Sequence, residues 1–183
     1  MQQKKTKLKE KSKYKMKRTN KLTLYVTRGA LIAAIYVVMT MLASAVGLSS
    51  GTIQLRISEA LCILPIFFPE AVLGLFVGCF ISNLLVPGVV IWDIVFGSIA
   101  TLIGAIGAFA LRGLPERIKW VATLPTVLSN MIIVPLVLIF AYGAEDSYIF
   151  LMITVGIGEF ICATLGGGTL YYVLNKHINK WLK

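Results

Sequence analysis

The sequence predicts an all-α membrane protein, a six-transmembrane-helix bundle with its N and C termini in the cytoplasm. Three observations carry that expectation. The chain of 183 residues is 57% hydrophobic and only 14% charged, whereas a soluble domain of this size carries about 25% charged residues. Its apolar residues fall into uncharged runs, and about 20 such residues cross a bilayer core. The remaining charge is segregated: eleven of the eighteen Lys and Arg residues lie between Lys4 and Arg28, directly before the first apolar run. A basic flank orients a span with that side in the cytoplasm and attracts anionic lipid, so no nucleic-acid partner is assigned to it.

The elements follow in chain order. Residues 1–21 are expected to be a disordered basic cytoplasmic tail, and 22–183 a single six-helix transmembrane domain. The first span runs from Gly29 to Gly47 and is too long for a signal peptide, and no clear small-residue cleavage site stands out. A short second segment, Ile57 to Phe68, stops at Pro69-Glu70. The third span runs from Ala71 to Val86 and ends at the turn Pro87-Gly88, and the fourth from Asp93 to Leu111. After RGLPERIK the fifth runs from Trp120 to Tyr142; after GAEDS the sixth runs from Tyr148 to Asn175, carrying one charge, Glu159. Pro65, Pro125 and Pro135 fall within helical runs, which membrane bundles tolerate.

Hydropathy leaves the second segment open, since its helical length of about 18 Å is less than the hydrocarbon thickness. Topology decides it. Both termini and RGLPERIK are basic, and GAEDS is acidic. If basic segments face the cytoplasm, the number of crossings is even, and six spans place RGLPERIK inside and GAEDS outside. The short segment therefore crosses, tilted or in a thinned membrane.

Polar side chains in such spans are costly and face the bundle interior, where they bind ligands or join helices. Counting helical rise from the outer ends, Glu159 lies about 16 Å down and Asn130 about 18 Å down, near the midplane. Asn83, Trp92 and Asp93 sit near the outer ends of the third and fourth spans. Gln54, Arg56 and Glu59 sit on the outer loop and the start of the second segment. The distribution predicts a cavity open to the outside and closed below by apolar packing. For each of these residues a structural role stands beside the binding role: a helix-joining pair for Glu159, an amide bridge for Asn130, helix packing for Asn83 and an interfacial aromatic belt for Trp92. Glu70, behind Pro69, suits a helix N-terminus and is read as structural.

The stretch IQLRISEAL raises its own question. Arg56 and Glu59, three apart, would share a helical face and could pair. Either Ser58 and Glu59 cap a helix at a wet membrane edge, or the two charges form a lid over a polar ligand.

Several chemistries are disfavoured. The chain lacks a Gly-x-x-x-x-Gly-Lys-Ser/Thr loop, so ATP is not bound by that route. Its one histidine, His177, lies in the polar C-terminal end, leaving no Ser–His dyad or HExxH metal site. The three cysteines, Cys62, Cys79 and Cys162, lack CxxC spacing and indicate neither disulfides nor a metal. An aspartyl-type intramembrane enzyme needs two adjacent acids at one depth, and Glu159 has no acidic partner at its level. No cofactor, metal or catalytic residue is expected. Small residues spaced by four, Gly29–Ala33 and Ala30–Ala34 on the first span and Gly74–Gly78 on the third, permit close helix contacts.

The segments IQLRISEALCILPIFFPEAVLGLFVGCFISNLL and WDIVFGSIATLIGA resemble the queuosine-precursor transporter (QueT) family, substrate-binding S components of energy-coupling factor (ECF) transporters. The resemblance covers about residues 24–174. It implies the ECF S-component fold in a bacterial cytoplasmic membrane, capture of a 7-deazaguanine base from outside, and delivery with a transmembrane scaffold subunit and two ATPase subunits that hydrolyse ATP. Ala30 and Ala34 match the family's Ala-x-x-x-Ala docking pattern. For the base itself, Glu159 would accept the ring N–H and exocyclic amine, a charge-assisted pair. Asn130, Gln54 or Arg56 would donate to the carbonyl oxygen, and Trp92 would stack on the ring. Asp93 or Glu59 would face the cation of an aminomethyl precursor. The alternatives are an S component for another flat heterocycle or vitamin and, from a different class, an intramembrane carboxylate enzyme.

Overall fold

The computed structural model describes the backbone of residues 2–47 and 55–181, and the side chains of 20–47 and 55–177. Helix α1 spans Gln2–Ala45, α2 Ala71–Leu85, α3 Ile91–Ala110 and α4 Leu124–Tyr142; α5, Tyr148–Glu159, continues through a π-helical segment, Phe160–Gly166, into α6, Gly167–Trp181. A 3-10 helix, Ile57–Ile66, lies between α1 and α2, and another, Glu116–Thr123, leads into α4. Four of these runs are long and apolar enough to cross a membrane: 20–45, 91–113, 116–142 and 148–177. The 3-10 helix at Ile57–Ile66 and α2 are apolar but shorter. The six apolar helical segments thus occur in the predicted order, and helices are the reason a chain this apolar can satisfy its own backbone in lipid.

Neighbours in sequence are neighbours in space: α1 packs on α2, α2 on α3, α3 on α4 and α4 on α5. The close approach of α1 and α2 depends on glycine. A β-carbon at Gly74 would sit 2.6 Å from the Gly29 carbonyl oxygen, and one at Gly78 only 3.1 Å from the Ala33 α-carbon. The small-residue spacings Gly29–Ala33 and Gly74–Gly78 are therefore one helix–helix contact. Ala30 and Ala34 lie on the other side of α1 and are exposed. The turns form as their residues require. Gly88 in the Pro87-Gly88 turn has φ +81° and Gly143 at the end of α4 has φ +68°, both left-handed conformations suited to glycine. Ser147 caps α5 by accepting from the Phe150 N–H at 3.3 Å.

The short segment after α1 departs from the sequence expectation. It is a ten-residue 3-10 helix, about 20 Å long at 2.0 Å per residue, and it is the centre of the molecule rather than one wall. It contacts α1, α2, α3, α6 and the π segment, and Ser58, Glu59, Leu61, Cys62, Ile63, Leu64 and Pro65 are all buried. Gly166 and Gly167 let the π segment lie against it: a β-carbon at Gly167 would be 3.0 Å from the Ala60 carbonyl oxygen.

Two expectations for RISEAL are corrected here. Ser58 is not the N-cap. Arg56 holds that position with no side-chain cap, and the Ser58 hydroxyl instead accepts from Thr40 at 2.8 Å. Glu59 is not at a wet edge but is completely buried. Arg56 and Glu59 do not share a helical face, because Arg56 lies outside the helix at φ −91°, ψ 79°.

Candidate functional site

A cavity of about 440 Å³ opens at the end of the bundle where α1, α2 and α4 finish and α3 begins. Its polar lining comes from Thr40, Ser44, Arg56, Ser58, Asn83, Asp93 and Tyr142. Arg56 Nη2 faces Asp93 Oδ1 at 3.6 Å. The Tyr142 hydroxyl donates to Asp93 Oδ2 at 3.2 Å and accepts from the Val90 N–H at 3.2 Å. The Asn83 amide donates to the Asp93 carbonyl oxygen at 3.4 Å. Gly97 makes room for this group, since a β-carbon there would meet Asn83 Nδ2 at 3.1 Å and Asp93 Oδ1 at 3.2 Å.

One helical turn below Thr40 on α1 and Asn83 on α2 lies a second, fully buried layer. Glu59 is its hub. Tyr36 donates to Glu59 Oε1 at 2.5 Å and Thr101 donates to the same oxygen at 2.9 Å. The Cys62 thiol donates to Glu59 Oε2 at 2.9 Å. Four elements, α1, α3, the 3-10 helix and, through Cys79 beside Thr101 at 3.4 Å, α2, are tied together there.

Two further buried polar groups are on α4 and α5. Asn130 is completely buried and donates to the Thr126 carbonyl at 3.2 Å. Glu159, the last residue of α5, is 2% exposed and lies within electrostatic range of Glu59 and Arg56. The sequence placed no acid near Glu159, because it put Glu59 at the membrane edge. The 3-10 helix instead buries Glu59 within electrostatic range of Glu159. Glu159 Oε2, Asn130 Oδ1 and Thr126 Oγ1 are buried without a hydrogen-bond partner. Such atoms cost about 1–3 kcal/mol each, so each of them calls for an explanation. The π segment starts directly after Glu159, and π turns recur at functional positions.

Of the residues singled out from sequence, Arg56, Asp93, Asn83, Glu59, Asn130 and Glu159 fall in these three layers. Trp92 does not join them. Its ring is 57% exposed, stacks on Phe96 at 6.0 Å between centroids, and lines an apolar groove between α3 and α4 with Leu136 and Phe140. It is adjacent to Asp93 in sequence, but consecutive helical residues point about 100° apart. Gln54 lies outside the described residues. Glu70 precedes α2, and its carboxylate faces Arg28 at 3.5 Å, at the other end of α2 from the cavity. Tyr36, Thr101 and Thr126 were missed by sequence reasoning, since single hydroxyls within apolar runs carry no charge signal. The spacing of Tyr36 and Thr40 on one helical face was the available hint. The three cysteines are free, and among the described residues no group of three or more His, Cys, Asp or Glu is arranged to hold a metal ion.

Comparison with known proteins adds an independent finding. The family model described as "QueT transporter" matches residues 26–176. A curated protein of Lactococcus lactis subsp. cremoris, named queuosine precursor transporter QueT, is 27% identical over 144 residues, covering 75% of this chain and 84% of that relative. No solved structure matches the chain.

Proposed function

The chain belongs to the QueT transporter family, and from that premise we propose that it is the substrate-binding S component of an ECF-type importer for a queuosine precursor. Its ligand is a 7-deazaguanine base, and its partners are a transmembrane scaffold subunit and two ATPase subunits. In this reading the chain crosses the bacterial cytoplasmic membrane six times with both termini inside, so the cavity between Arg56, Asp93 and Tyr142 opens outward. The base enters there and settles against the buried layers below.

The observation that carries the reading is the Glu159 carboxylate, buried with Oε2 unpartnered; the Oδ1 of the buried amide of Asn130 is also unpartnered. A carboxylate accepts both the ring N–H and the exocyclic amine of a guanine-like edge, and such charge-assisted pairs are strong. Arg56 has a buried Nη1 without a partner and is the donor suited to the base carbonyl. Ala30 and Ala34, on the exposed face of α1, form the docking surface for the scaffold. The basic tail stays in the cytoplasm beside anionic lipid.

The test is reconstitution. Purified protein is expected to bind deazaguanine in a calorimeter without ATP, and proteoliposomes to import it only when scaffold and ATPase subunits are present. A screen against flavin, thiamine and biotin separates this from an S component for another heterocycle. Chemical turnover of the base by the lone chain would instead establish an intramembrane carboxylate enzyme.

A further inference from the structure

Tyr36 and Thr101 take no part in the ligand contacts proposed above, yet both are buried and both direct their hydroxyl to one carboxylate, Glu59. With the Cys62 thiol on the other oxygen, Glu59 accepts three hydrogen bonds and donates none. A carboxylate in that setting is satisfied as an anion. Neutral donors orient its charge but do not cancel it.

The positive side of this region is short. Among the described residues Arg56 is the one cation in range, and it already faces Asp93. Glu159, the other acid in range of Glu59, has no cation of its own among the described residues. Three carboxylates, Glu59, Glu159 and Asp93, therefore share one guanidinium. The other buried acid, Glu70, is paired with Arg28 and lies at the far end of α2. A buried carboxylate without a counter-charge is costly, and a bound cation removes that cost.

We propose that Tyr36 and Thr101 are positioning residues that hold Glu59 as a fixed anion, so that the site discriminates by charge and takes a deazaguanine with a cationic 7-substituent over a neutral one. The inference rests on the deazaguanine reading. It divides the work between the two acids: Glu159, with its free oxygen, takes the ring edge, and Glu59 supplies the negative potential that an ammonium group meets. An ammonium donates hydrogen bonds and carries the charge that Glu59 attracts, whereas a nitrile only accepts and offers a carboxylate no donor.

Calorimetry on the full-length protein in detergent, with 7-aminomethyl- and 7-cyano-7-deazaguanine, tests it. The aminomethyl base is expected to bind about tenfold tighter or more, the scale of one favourable charge contact. In Tyr36→Phe and Thr101→Val the cationic base is expected to lose about fivefold while the neutral base changes by less than about twofold. Equal loss for both bases would mean that the two hydroxyls serve only the fold, and would overturn their assignment. Equal binding of the two bases to the native protein, or tighter binding of the nitrile, would overturn charge selection and leave the deazaguanine reading standing. Binding of neither base would overturn both. Thermal unfolding and gel filtration report whether each variant folds, and Thr101→Val carries the comparison if Tyr36→Phe does not.

Discussion

Arg56 Nη2 and Asp93 Oδ1 lie 3.6 Å apart across the mouth of the cavity, joining the entry of the central 3-10 helix to the first turn of α3. The two side chains are 16% and 14% exposed, so the pair is far less screened than one on an open surface. Removing only Asp93 would take from the guanidinium the one carboxylate it faces directly. Asp93→Leu is expected to destabilise the protein by about 3 kcal/mol, at the low end for breaking a buried pair. Arg56→Met combined with Asp93→Leu is expected to lose less than the sum of the two single variants while weakening ligand binding. Thermal unfolding of the single and double variants checks the coupling; additive losses would show that the pair does not act as a unit.

Glu159→Gln keeps the volume of the side chain and replaces one acceptor oxygen with a donor amine. Because Oε2 has no partner within the protein, the variant is expected to fold at least as stably as the native chain. Its affinity for deazaguanine is expected to fall at least about tenfold, or about 1.4 kcal/mol. Unchanged binding in a calorimetric titration would remove Glu159 from the site.

Ala30 and Ala34 sit on a face of α1 that no other part of the chain covers. Leucine or tryptophan at either position has nothing within the fold to strike. Ligand binding and the unfolding temperature are expected to stay at native values while uptake in cells falls to background. Uptake at the native rate would show that this face does not dock the scaffold.

Gly78 is the opposite case on the α1–α2 contact. A β-carbon there would lie 2.9 Å from the Tyr36 β-carbon and 3.0 Å from the Ala33 carbonyl oxygen, and neither neighbour is a flexible side-chain end. Gly78→Leu is expected to destabilise by about 1–3 kcal/mol, the cost of overpacking, and to disturb Tyr36 and hence Glu59. A lower unfolding temperature together with weakened ligand binding is the expected pair of readings. Native stability would mean that α1 and α2 can separate freely at this point.

The sequence by itself determined the elements: six apolar helical segments, their order, the turns at Pro87-Gly88 and Gly143, and the small-residue contact of Gly74 and Gly78. Those follow from rules that are local along the chain, the need of an apolar backbone to satisfy itself and the freedom of glycine. What only the tertiary structure decided was direction around each helix and the course of the one segment that is not α-helical. Trp92 and Asp93 are adjacent in sequence, yet one faces an outer groove and the other the cavity, and only the packing of α3 against α2 and α4 chooses between them. Glu59 looks like an edge charge in RISEAL because α-helical spacing pairs it with Arg56. The tighter 3-10 course through the middle of the bundle instead gives Arg56 to Asp93 and Glu59 to Tyr36, Thr101 and Cys62, residues 23, 42 and 3 positions away in the chain.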